Sequence, residues 1–172
     1  MRKKIKLIFV IPSLVPGGAE RVISYVSQNI NKQKFETTLL VCGYEKDTSY
    51  DVSSVNVKYL NKSRVLFAIP SLIIYFFKAK PDVVLSSIGH LNSAIAKISS
   101  LFPKTKFIGR EATIPSQRKN EKSNHRINLT KLVKSSYNKL DMIVCQSNDM
   151  IKEMAKYHNI PTNKLIKINN PI

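Results

Sequence analysis

Short apolar runs alternate with longer amphipathic segments along almost the whole chain. KIKLIFVIPS is apolar on successive residues and predicts a strand that ends near Pro12. GGAERVISYVSQNINK follows, with Val22, Ile23, Val26 and Ile30 at spacings of one, three and four, which predicts a helix. ETTLLVCGY predicts a second strand. The stretch from Asp47 to Ser54 is polar and turn-like. In VNVKYL the alternation of Val55, Val57 and Tyr59 predicts a third strand with one buried face. Arg64 to Lys80 reads as an apolar helix, and Pro81-Asp82 introduces DVVLSSIG as a fourth strand.

The alternation continues beyond Gly89. Leu91 to Leu101 predicts a short helix, and KFIGREA a fifth strand. Ile114 to His125 is a basic, polar loop, and Arg126 to Leu140 repeats Ile127, Leu129, Leu132, Val133 and Tyr137 with helical periodicity. DMIVCQS predicts strand six. Asn148 to His158 predicts a helix with Ser147 placed to cap it, and KLIKINNPI a last strand. Strands alternating with helices imply βαβ units and a doubly wound, mostly parallel sheet of about seven strands. Strands one, two, four and six are apolar on consecutive residues, as a sheet covered on both faces requires. Such a sheet binds its ligand at the carboxyl ends of its strands. The residues to inspect therefore lie at 16–20, 43–44, 86–92, 109–113, 146–149 and 169–172.

The 172 residues suit one domain, and the 43% hydrophobic content excludes disorder and low-complexity classes. Cys42 and Cys145 each sit in an apolar run and read as small buried hydrophobes in a reducing compartment, not as a disulfide or metal pair. The N-terminal apolar stretch is broken by Lys6 and Pro12, so a first strand explains it better than a signal peptide. The longest apolar run, Val65 to Phe77, is too short for a membrane-spanning helix. Burial against the sheet is its expected fate, with Phe67, Tyr75, Phe76 and Phe77 as candidates for lipid contact. Charge changes the picture most: 28 Lys and Arg against 11 Asp and Glu give +17, which favours an anionic partner.

After strand one, VPGGAERV opens a helix. Gly17 and Gly18 are expected to let the backbone turn tightly and a ligand approach it. Amide groups at a helix start then suit an anion such as a diphosphate, although a ligand-free turn is the plain alternative. An apolar strand, GGAERV and an amphipathic helix together resemble the start of the amino-terminal domain of retaining glycosyltransferases of family 4, GT-B enzymes of two Rossmann-like domains. PDVVLSS, KFIGREA, DMIVCQSNDMIKEM and KLIKINNPI resemble later segments of that domain in the same order.

The resemblance implies that residues 1–168 form the acceptor-side domain and that 169–172 begin an interdomain linker. The carboxy-terminal donor-binding domain, with its basic pair and two glutamates, would then be absent, and the fragment inactive alone. It implies donor-diphosphate contact at Gly17 and Gly18, with a nucleotide-sugar such as a UDP-sugar as donor. It further implies retention by front-face attack, a hexosyl or N-acetylhexosaminyl product, and neither metal nor cofactor. Position at the ligand edge makes His90 and Arg110 candidate acceptor-binding residues and Glu111 the candidate catalytic group. Each has a plain alternative: a loop histidine that packs, and an ion pair at a strand end.

From Lys104 to Lys139, ten Lys and Arg face two Glu. Arg118, Lys119, Lys122, Arg126, Lys131 and Lys134 are expected to lie on an anionic leaflet, unless they form a solvated face. A lipid-diphosphate-linked saccharide acceptor would account for charge and apolar surface together. The expected setting is peripheral, on the cytoplasmic face of the cell membrane, in O-antigen or capsule assembly. The rivals are a nucleic-acid-binding module, another nucleotide-binding Rossmann-type enzyme and a non-catalytic GT-B relative. No helix-turn-helix, zinc finger or RNP motif supports the first, and the lack of GxGxxG weighs against the second.

Overall fold

The structure, a computed structural model, describes residues 3–113 and 136–171. Seven strands form one sheet in the order β3-β2-β1-β4-β5-β6-β7, every neighbouring pair parallel. They are β1 (Ile5–Ile11), β2 (Phe35–Val41), β3 (Asn56–Tyr59), β4 (Val83–Ser87), β5 (Lys106–Arg110), β6 (Met142–Cys145) and β7 (Leu165–Lys167). The helices are α1 (Gly18–Asn29), α2 (Val65–Ala79), α3 (Gly89–Ile98) and α4 (Asn148–His158). The predicted doubly wound Rossmann-like sheet of seven strands is thus present, with strand order reversing between β1 and β4.

Consecutive apolar residues in β1 serve both faces. Leu7, Phe9 and Ile11 join Ile23 of α1 and Leu39 and Val41 of β2 in one cluster. Ile8 and Val10 face the other way, into a larger cluster with Ala68, Leu72 and Phe76 of α2, Leu91 and Ile95 of α3, and Met150 and Met154 of α4. Cys42 and Cys145 are buried free thiols, and burial pushes them up to about 12 and about 11, the latter with help from the Glu111 carboxylate. At neutral pH both are therefore inert packing atoms. Ser147 caps α4 as its position suggested, its Oγ accepting from the Met150 amide at 3.1 Å.

Three expectations change. The third helix starts at Gly89, two residues earlier than its periodicity indicates, because the chain turns at Ile88. Of the helix expected over 126–140, residues 126–135 lie outside the described residues, and Tyr137–Lys139 form a 3-10 turn. On α2 only the face bearing Ala68, Leu72 and Phe76 is buried. Phe76 is 1% exposed, with edge-on contacts to Phe102 and Phe107, so it cannot reach lipid. Tyr75 is half-buried against the same core. Phe67 and Phe77 remain exposed. Among the described residues no helix is long and apolar enough to cross a membrane.

This division of α2 has a measurable consequence. In urea unfolding, Phe76→Ala should lower stability by about 3–4 kcal/mol through cavity formation. Phe67→Ala should change it by no more than about 0.5 kcal/mol, as for an exposed site. Equal losses at the two positions would contradict the assignment of faces.

Candidate functional site

The carboxyl ends of the strands gather the residues expected to bind ligand. The β4–α3 turn is the most constrained of them. Ile88 adopts φ 80° and ψ 126°, a conformation a β-branched residue seldom accepts. Surrounding hydrogen bonds hold it there. Ser86 Oγ donates to Asn92 Oδ1 at 2.7 Å, and Asn92 Nδ2 donates to the Arg110 carbonyl at 2.9 Å. The Gly89 carbonyl accepts from Ser93 Oγ at 2.9 Å, and the Tyr137 hydroxyl, 3.1 Å away, shares its one proton between this carbonyl and Glu111 Oε2. The turn delivers His90, in the first turn of α3, to the exposed rim.

Arg110 and Glu111 sit beneath that rim. Arg110 is buried, with Nη1 donating to Ser87 Oγ at 3.2 Å and Nη2 to Asn170 Oδ1 at 2.7 Å. Burial lowers its affinity for a proton, and the Glu111 and Glu20 carboxylates oppose that effect without cancelling it. Glu111 is 1% exposed. Its Oε2 accepts from the Tyr137 hydroxyl at 2.7 Å and its Oε1 from the Ala112 amide at 3.3 Å. Asn170 donates in turn to Gln146 Oε1 at 3.1 Å, so the last residues of the chain are tied to the ends of β5 and β6. The Arg110–Glu111 pair is therefore the buried floor of the edge, and His90 is its exposed residue.

The glycine pair does not use the conformational freedom expected of it. Neither residue has a positive φ, and Gly17 is extended at φ −175°, a conformation open to any residue. What sets the pair apart is space. A Cβ on Gly17 would collide with the Glu20 carboxylate, whereas one on Gly18 would meet nothing within 4 Å. The Gly17 amide already donates to the Tyr50 hydroxyl at 2.7 Å, and that hydroxyl donates back to the Gly17 carbonyl at 2.8 Å. Gly18, exposed at the start of α1, is the open side of the elbow.

A cavity of about 550 Å³ lies beside this edge, between the loop after β1 and the starts of α2 and α3. Ser13, Lys62, Arg64, His90 and Lys97 supply part of its polar wall, and Pro12, Leu66, Ile69 and Ala94 part of its apolar wall. Among the described residues no acid lines it. Sequence reading found His90 but missed Lys62, Arg64 and Lys97. The first two follow strand three at its carboxyl end, the signal that would have included them; Lys97 reaches the cavity from two turns into α3. The hydrogen bonds of Tyr50 and Tyr137 carried no signal, because their partners are distant in sequence. Arg118, Lys119, Lys122, Arg126, Lys131 and Lys134, expected at a membrane, lie outside the described residues. Among the described residues no group of three or more His, Cys, Asp or Glu could hold a metal ion.

The family model of Glycosyltransferase Family 4 matches residues 16–172. The chain belongs to that family. The solved structure of HepE from Anabaena in complex with UDP-glucose superposes with a TM-score of 0.75 at 12% identity, over 98% of this chain and 44% of that one. The lipopolysaccharide outer core galactosyltransferase WaaB, in its apo form, gives 0.73 at 13% identity over 98% and 46%. UDP-N-acetylglucosamine 2-epimerase from Rickettsia bellii gives 0.70 at 14% over 98% and 45%. No curated protein matches the chain. The family 4 chain thus spans a little under half the length of these structures and has the fold of one Rossmann-like half of a GT-B protein, the amino-terminal one.

Strain at Ile88 in this family 4 domain predicts an inverted substitution order. Ile88→Gly should be more stable than Ile88→Ala by about 1 kcal/mol, because only glycine accepts a positive φ without penalty. Thermal unfolding of the two variants decides it, and an alanine variant equal to or above the glycine variant would contradict the turn geometry.

Proposed function

We propose that this chain is the acceptor-binding domain of a retaining glycosyltransferase. The donor is a nucleotide-sugar, of the UDP type held by HepE, and the acceptor a lipid-diphosphate-linked saccharide. The proposed setting is the cytoplasmic face of the cell membrane, and the pathway a cell-surface polysaccharide of the kind WaaB helps to build. The observation that carries the reading is the cavity lined by Lys62, Arg64, His90 and Lys97, with no acid among the described residues that line it, placed at the ligand edge of a family 4 domain. Three cations beside an apolar wall suit a phosphorylated group attached to a hydrocarbon chain.

In the proposed reaction the acceptor hydroxyl forms a bond to the anomeric carbon on the face from which the diphosphate departs. The bond from that carbon to the diphosphate oxygen breaks, and a diphosphate oxygen takes the hydroxyl proton. Gly18 leaves room for the diphosphate against the start of α1, where amide dipoles favour negative charge. His90, on the rim, hydrogen-bonds the acceptor. Glu111 acts from below by fixing Tyr137, which in turn holds the Gly89 carbonyl next to His90.

The test is binding of a short-chain, water-soluble polyprenyl-diphosphate saccharide to the purified chain by titration calorimetry, with duplex DNA as competitor. Saturable binding that DNA does not displace is expected, weakened about fivefold by His90→Ala, the worth of one net hydrogen bond. Preference for DNA, or no saturable binding of the diphosphate, would overturn the proposal.

A further inference from the structure

The outward face of α2 carries Leu66, Phe67, Ile74 and Phe77, exposed by 69, 57, 55 and 56%. At 100° per residue these four and the exposed Pro70 fall within an arc of about 100°, one continuous stripe along a helix about 22 Å long. So large an apolar stripe on a solvated surface marks a contact site. The stripe continues at its far end, where the Phe77 ring lies 4.7 Å from that of Phe102, next in sequence to the half-exposed Leu101. Leu66 belongs both to the stripe and to the wall of the cationic cavity, so apolar surface and cations meet without a break.

Charge selects the occupant. α2 contains no acidic residue, and between residues 52 and 110 Asp82 is the only acid against nine Lys and Arg. Lys62 and Arg64 precede the stripe, and Lys78, Lys80 and Lys104 lie at its far end. A second copy docked on this face would set these cations against their own kind. An anionic lipid surface satisfies both features: apolar side chains enter the acyl boundary while Lys and Arg meet phosphates. At this length the helix lies in the surface and does not cross it.

We infer that α2 is the membrane-docking element of this domain, its stripe seated in an anionic leaflet so that the adjoining cavity faces the lipid phosphates. This rests on the reading of a lipid-linked acceptor, and it places membrane contact on described residues of α2 and not on the basic stretch 118–134.

The experiment is co-sedimentation of the purified chain with vesicles of phosphatidylcholine, with and without phosphatidylglycerol. Binding is expected only to the vesicles containing phosphatidylglycerol. Phe67→Ser combined with Ile74→Ser should lower partitioning at least ~10-fold. Lys62→Ala combined with Arg64→Ala should lower it on the order of 10-fold or more. Circular dichroism melts confirm that the variants fold. Unchanged partitioning in the Phe67/Ile74 variant would overturn the inference, as would a dimer in analytical ultracentrifugation that this variant dissolves. So would loss of partitioning on Lys131→Glu with Lys134→Glu while the α2 variants bind normally. Calorimetry with the water-soluble acceptor analogue separates the two readings. Analogue binding without α2-dependent partitioning leaves the acceptor proposal standing and removes docking. Partitioning without analogue binding does the reverse.

Discussion

Parallel pairing of β1 with β4 is the contact on which the site depends. Residues 7–10 of β1 lie in register with 83–86 of β4, so the two halves of the sheet, wound in opposite directions from this seam, end together. The loop after β1 and the turn after β4 then diverge to opposite sides and leave a crevice between them. Ser13, in the first of these loops, and His90, in the first turn of α3 after the second, line the cavity. Parallel strands also bury both faces, which demands the continuous apolar runs of β1, β2, β4 and β6.

A second layer of polar contacts fixes that edge. Ser86, Asn92 and the Arg110 carbonyl form one chain of hydrogen bonds, and Glu111, Tyr137 and the Gly89 carbonyl another. Buried donors and acceptors left without partners are costly, so such networks hold a single arrangement. Here they impose a strained turn at Ile88 and keep two charged residues beneath the surface. Charge exposed to a ligand comes instead from Lys62, Arg64 and Lys97 around the cavity.

Much of this was legible in the sequence. Runs such as LIFVI and LLVC show consecutive burial directly, and Ser147 before an amphipathic segment announces its cap. Alternation in VNVKYL showed a strand with one covered face, and β3 alternates between exposed and half-buried positions at the sheet edge. What pattern could not show were contacts between distant residues. Tyr50 on Gly17 and Tyr137 on Glu111 span 33 and 26 residues; the periodicity of Tyr137 marks a buried position but not its partner. The uniform apolarity of α2 likewise hid its division, since periodicity locates a buried face only where polar residues mark the other. The motif VPGGAERV suggested a tight glycine elbow, but Gly17 is extended and Gly18 is set apart by the space beside it.

The central claim is that an anionic, lipid-linked group occupies the carboxyl edge, between the start of α1 and the cavity at α2 and α3. Hydrogen exchange measured with and without a short-chain polyprenyl diphosphate tests it most directly. Protection should rise in residues 13–20, 62–66 and 88–97, and stay unchanged at the opposite edge around Lys34, Asp82 and Lys106. Protection centred on that opposite edge, or no change anywhere at saturating ligand, would contradict the account.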